Sequence, residues 1–241
     1  MNTNQYYKNQ ALDALRGNWT PAVLATVVFS LISGLLTMPV TYNSFKMQSA
    51  MTSLAASDPA ALLAASGSSV WVSGLTILLE IFILCPLAVG FVNALRLLLE
   101  RGDNAVSSNM FKIATTKYLH KVWGMFLMGL FILLWSLLLI IPGIIKAYSY
   151  AMTPYILDEH PELSANDAID RSRAMMKGHK FDLFWLQLSF IGWVLLGFLT
   201  FGIGYFWLAP YIDTAQAAFY QDLKAEFGDG FDAVVKQAEV L

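Results

Sequence analysis

Charge is scarce in this sequence. Lys, Arg, Asp and Glu make up 13% of its 241 residues, while hydrophobic residues make up 57%. An ordinary soluble domain carries about 25% charged residues, so this chain cannot cover a core of its own size with a solvated surface. Cysteine is scarcer still. Cys85 stands alone inside an apolar run, which excludes an intramolecular disulfide framework. The formal net charge of −2 sums charges segregated by loop, and no nucleic-acid partner is expected.

Chemical signatures are missing as well. There is no HExxH, GxSxG, phosphate-binding loop or dinucleotide fingerprint. His120, His160 and His179 lack metal-ligand spacing, and the acids Asp158, Glu159, Glu162, Asp167 and Asp170 around His160 read as solvated, helix-capping groups before they read as a cation site. No catalysis, cofactor or metal is expected. The first nineteen residues hold no apolar h-region of a signal peptide, so the first apolar run is expected to be a retained span.

What the chain has is long apolar runs, and a mean hydropathy of +0.56 to match. Six segments emerge, at about 21–40, 70–99, 122–141, 144–157, 183–200 and 203–219. The third is about 30 Å long as a helix, enough to cross a bilayer. The fourth is only about 21 Å long; it extends by a turn, crosses a thinned region, or re-enters without crossing. The expectation is a single membrane domain over 1–241, with an Ala/Ser-rich outer loop at 41–69 and a cytoplasmic tail at 220–241.

Positive charge orients these spans, because cytoplasmic loops carry the excess of Lys and Arg. Placing the N-terminus, 96–121, 158–182 and the C-terminus inside collects 13 of the 15 Lys and Arg. Only Lys46 and Lys146 are left outside. Both termini are therefore expected in the cytoplasm.

Amphipathic segments precede the hairpins. Ser164 and Asp167 read as a capping-box variant, followed by a stripe of Ala165, Ile169, Ser172 and Met176 flanked by Ala168 and Met175. Arg171, Arg173 and Lys177 fall off that stripe, and with Lys180 they are expected at anionic headgroups. The unit recurs. Ala11-Leu12-Asp13 precedes Arg16-Gly17-Asn18 and a span, as Ala168-Ile169-Asp170 precedes Lys177-Gly178-His179 and a span. Phe111, Ala114 and Tyr118 form a middle stripe before the third span, and Thr153-Pro154-Tyr155-Ile156 resembles Ala209-Pro210-Tyr211-Ile212. The fold class expected is an all-α membrane protein with six transmembrane helices in three hairpins, each preceded by an amphipathic cytoplasmic interfacial helix.

The stretch RSRAMMKGHKFDLFWLQLSFIGW, together with IIPGIIKAYSYAMTPYIL and FGIGYFWLAPYIDTAQAAFYQDL, resembles a bacterial integral membrane family catalogued as domain of unknown function 975. The resemblance extends over essentially the whole chain. It implies a multi-span protein of a bacterial cytoplasmic membrane and implies no reaction. More distantly, the layout is similar to the membrane domain attached to some glycerophosphodiester phosphodiesterases, whose catalytic domain has no counterpart here.

Candidate sites follow from the cost of polar groups in hydrocarbon. Glu80 and Asp213 each lie well inside an expected span, and Lys146 lies near the start of the fourth. These residues, with Tyr155 and Tyr211 beside the paired prolines, either line an intramembrane cavity or serve helix contacts, kinks and snorkelling. Lys146 has Glu80 as its expected partner in the first case. The leading functional expectation is a non-enzymatic scaffold, assembly or regulatory subunit that meets the lipid bilayer and a membrane-protein partner or a second copy. The alternative is a small transporter or lipid-binding protein that uses the cavity.

Overall fold

The structure, a computed structural model, describes residues 1–54 and 71–227. Most of the expected outer loop and the last residues of the tail lie outside them. All regular structure among the described residues is helical: α1 (Asn4–Leu15), α2 (Trp19–Leu54), α3 (Trp71–Arg101, with a π-helical turn at Glu80–Leu84), α4 (Val106–Thr115), α5 (Tyr118–Leu138), α6 (Ile140–Ser149), α7 (Thr153–Glu159), α8 (Ala165–Met175), α9 (Lys180–Leu188), α10 (Ile191–Leu199) and α11 (Tyr205–Phe227). Residues 41–54, expected in the outer loop, instead continue α2 past Pro39.

Among the described residues, four helical stretches are long and apolar enough to cross a membrane: Trp19–Ser49, Trp71–Arg101, Tyr118–Leu138 and Lys180–Leu199. The fourth and sixth expected spans differ from these. Segment 144–157 is divided between α6 and α7 at Tyr150–Met152, ahead of Pro154, where proline suits a helix start and not a helix interior. The two short helices run back along α5. Gly143 abuts Ser136 near the tip, and Gly124 faces Leu157 at the other end. Helix α11 is long enough, but from Leu208 to Leu223 it buries most of its side chains inside the molecule, as a core helix does.

The threefold unit is visible in the backbone. Each amphipathic helix (α1, α4, α8) ends shortly before a residue of left-handed conformation: Gly17 at φ 81°, Lys117 at φ 50° and Gly178 at φ 98°. The next helix starts within two residues of each. Glycine adopts this conformation without strain, so the matching Gly17 and Gly178 mark a real turn, and the middle unit makes it with lysine. The returning helices share a proline, and the third is Pro86 in α3, beside Pro154 and Pro210.

The amphipathic helices lay their apolar stripes on protein. Ser164 caps α8 as expected, accepting from the Asp167 amide at 3.2 Å and donating to its carboxylate at 2.6 Å. But Ala165, Ala168, Ile169, Ser172 and Met175 are buried, and the Ser172 hydroxyl bridges the break between α6 and α7, donating to Ser149 O at 3.0 Å and accepting from Met152 N at 3.1 Å. Neighbouring helices supply a better-packed apolar surface than headgroups can. In the middle unit the buried stripe is Val106, Met110, Ile113 and Ala114, while Phe111 faces outward; Gly90 of α3 leaves no room for a Cβ against the Met110 carbonyl. Helix α1 buries Tyr7, Ala11 and Leu15, and its Tyr7 ring meets Phe219 of α11 at 5.4 Å.

The molecule thus has two regions. One is a close-packed bundle of α1, α4, α7, α8, the C-terminal half of α3 and most of α11. The other projects apolar side chains outward: Leu31 to Phe45, Trp71 to Ile83, Leu133 to Ile145 and Ile191 to Trp207.

Candidate functional site

The polar centre of the bundle is built where α3, α5, α7 and α11 converge. Arg96 of α3 is buried, and its guanidinium makes bonds on every side. Nε donates to Asn93 Oδ1 at 2.9 Å, Nη1 to Glu100 at 3.2 Å and to Glu159, and Nη2 to Asp158 Oδ2 at 3.2 Å. Lys121 of α5 is 1% exposed and donates to Asp158 Oδ1 at 2.8 Å and to the Ile113 carbonyl at 2.5 Å. From α11, the Tyr220 hydroxyl and the Lys224 ammonium donate to Glu159 Oε2 at 2.6 and 2.9 Å. Asn93 completes the joint, donating from Nδ2 to the Pro154 carbonyl at 2.9 Å.

Three cations therefore meet three carboxylates, with one repeat unit supplying Arg96 and Glu100, the next Lys121, Asp158 and Glu159, and the last Lys224. Burial alone would raise the Glu159 carboxyl; the Arg96 charge and the bonds from Tyr220 and Lys224 outweigh it and hold the group below the usual carboxylate range. A second tie closes the bundle's edge. Asp222 of α11 accepts from the Tyr7 hydroxyl at 2.5 Å and from Asn2 at 2.9 and 3.0 Å. Burial opposes its ionisation too, and these donors hold it low.

The expected acidic cluster around His160 is dispersed. Asp158 and Glu159 enter the junction, Glu162 pairs with His160 at 2.9 Å, Asp167 bonds Ser164, and Asp170 pairs with Arg173 at 3.1 Å. No group of three metal-ligating side chains occurs among the described residues.

The five cavity candidates do not converge. Glu80 lies in the π-helical turn of α3, half-exposed. Lys146 makes no ion pair with it; the ammonium lies 4.5 Å from the Trp135 ring centre and 5.9 Å from that of Tyr150. Tyr155 is fully buried, stacked on Tyr220 at 4.7 Å, and its hydroxyl has no hydrogen-bond partner among the described residues. Tyr211 sets its ring edge against Phe190 at 5.0 Å. Asp213 is half-buried on α11 and forms no ion pair among the described residues.

Two open cavities carry some of these residues. The first, about 440 Å³, is apolar and walled by Trp19, Trp193, Trp207, Leu12, Leu208 and Tyr211. The second, about 390 Å³, places Lys146 beside Asp170 and Arg173 of α8. Lys146, expected on the outer side, thus shares a cleft with Arg173, expected on the cytoplasmic side: α6 is only ten residues long and packs against α8. Among the four cations expected at headgroups, Arg173 and Lys177 are exposed and Lys180 is half-exposed, but Arg171 is 7% exposed, turned into the bundle.

The junction escaped the sequence reading because its members appear there only as loop charges. A local signal existed: Asn93, Arg96 and Glu100 share one face of a helix at spacings of three and four. The third proline, Pro86, was the other.

Comparison with curated proteins and with solved structures finds no match. A family comparison does: the match covers residues 137–226, from the tip of the second hairpin to the end of α11, and leaves the first 136 residues outside it. All three stretches that carried the resemblance fall within it, and over those residues the chain is similar to the family described as protein of unknown function (DUF975).

Proposed function

We propose that the protein is a non-enzymatic scaffold or assembly subunit embedded in a bacterial cytoplasmic membrane. The observation that carries this reading is the closed junction at Arg96. The buried charges are consumed in joining the three units to one another, and the polar candidates for a transport path are scattered. A bundle fixed in this way presents surface, not a conduit. Mild extraction after in-cell crosslinking, followed by mass analysis, tests it: a stoichiometric protein partner is expected, and a protein recovered alone at native abundance overturns the reading. The apolar cavity walled by three tryptophans favours the second reading, a lipid or apolar small-molecule binder, and a retained lipid without a protein partner would select it.

The membrane arrangement that fits this reading has three hairpins with both termini on the cytoplasmic side. The Met1 amine lies 3.5 Å from Glu226, which supports the two ends sharing a side. Only α2 and α3 then cross fully. The tips of the other hairpins, Leu137 to Ile141 and Leu199 to Ile203, are apolar apart from Thr200 and strongly exposed, Phe201 at 99%. Open backbone is not tolerated in hydrocarbon, and the third tip meets that demand: each amide from Thr200 to Leu208 donates within the turn, Gly204 to the Thr200 hydroxyl. In this arrangement the second and third hairpins end inside the bilayer. Cysteines at Leu139 and Phe201 should resist an impermeant thiol reagent from either side; rapid labelling from outside would restore six full crossings.

A further inference from the structure

The cavity shared by α5, α6 and α8 has a chemistry that the scaffold reading does not use. One wall is aromatic and apolar: Phe131, Trp135, Tyr150 and Ile169. The other carries two cations, Lys146 and Arg173, with the amide of Asn166 between elements. Lys146 has no carboxylate partner among the described residues; its ammonium is held over the Trp135 ring instead, a contact that positions the charge without neutralising it. Arg173 is fixed on one side by Asp170 at 3.1 Å, which leaves donors of its planar fork for another acceptor. Two cations against one carboxylate leave the cleft with a net positive charge.

The surroundings point to what would fill it. Immediately beside Lys146, the side chains of Ile140, Ile141, Ile144 and Ile145 are exposed, a face for hydrocarbon next to a pocket for an anion. A dissolved anion has no use for that face, whereas an amphiphile needs both. Tryptophan and tyrosine are the residues that mark the boundary between headgroups and hydrocarbon, and Trp135 and Tyr150 flank the ammonium.

We infer that this cleft binds a phosphate-bearing anion presented as the headgroup of an anionic lipid, with Lys146 and Arg173 as its charged donors and the acyl chains laid along the exposed isoleucines of α6. The Arg173–Asp170 pair is part of the device: the carboxylate orients the guanidinium and also competes with the phosphate for it.

The test uses the full chain in a non-ionic detergent, titrated separately with short-chain phosphatidylglycerol, phosphatidylcholine of the same chain length, and inorganic phosphate. Binding is read by native mass spectrometry and by the rise in melting temperature that a ligand of the folded state produces. Phosphatidylglycerol is expected to bind. Lys146→Gln and Arg173→Gln should each weaken it roughly tenfold, the scale of losing a charge-assisted hydrogen bond. Asp170→Asn should tighten it, a change that damaged folding cannot imitate. Equal binding of phosphatidylcholine, or affinities unmoved by all three substitutions, overturns the proposal. Inorganic phosphate bound as tightly as phosphatidylglycerol, with the same sensitivities, would keep the anion site and overturn the lipid as its occupant.

Discussion

Arg96 and Phe201 mark the two extremes of the molecule. At Arg96, carboxylates from two units pair with a buried charge, and Asp158 and Glu159 are held by further bonds, from Lys121 and from Tyr220 and Lys224 of the third unit. At Phe201 there is no charge to satisfy, the side chain is open, and the backbone closes on itself through the turn from Gly197 to Leu208. The two regions solve the same problem, unpaired polar groups away from water, by opposite means. The bundle region needs long-range partners, so substitution there should be costly. The projecting region needs only local hydrogen bonds and apolar side chains, so it should tolerate exchange of one apolar residue for another.

The largest contrast is expected at the junction. Glu159→Leu strands Arg96 without its main counter-charge and should cost about 3–5 kcal/mol, read as a fall in the unfolding midpoint in detergent. Next comes the packing comparison. Leu157→Ala, in the fully buried contact with Gly124, should cost about 2–5 kcal/mol; Leu138→Ala, on the projecting tip, should stay within about 0.5 kcal/mol. Equal losses at the two leucines would erase the distinction between the regions.

Acid sharpens it further. Glu159 and Asp222 are held below the ordinary carboxylate range in the folded state, so their contribution is complete above the unfolded-chain value, about 4, and is lost as pH falls through their depressed folded values. The melting temperature should drop in that acid window, and Glu159→Gln should flatten the drop. Smaller effects are expected at the turns. Lys117→Gly relieves a left-handed lysine and should stabilise by about 1 kcal/mol, and Gly178→Ala should destabilise by a similar amount. Smallest is Tyr155→Phe, neutral or slightly stabilising, because the hydroxyl it removes is buried without a partner among the described residues.

What could be read from the sequence was whatever a residue does to its own neighbours. The Ser164 cap, the paired turns at Gly17 and Gly178 and the apolar runs all act within a few positions; the cap and the turns are found where expected, and four of the six runs form helices long enough to cross a membrane. Arg96 was counted only as a loop charge, since Asp158 and Glu159 lie 62 and 63 residues away and nothing local announces them. Lys146 is a different case, sharing a cleft with Arg173 although the two were expected on opposite sides. Assigning charge by loop presumes that each apolar run crosses as one helix, and this one is divided at Tyr150–Met152.

The distance along the chain between Arg96 and its partners has a consequence in time. A ribosome adding about 5–20 residues per second brings out Glu159 roughly 3–13 s after Arg96, and Tyr220 a similar interval later. During synthesis the first unit holds a cation with Glu100 as its one counter-charge, and a premature stop before residue 158 leaves it so permanently. Completion of the junction is thus a chemical record that all three units have been made.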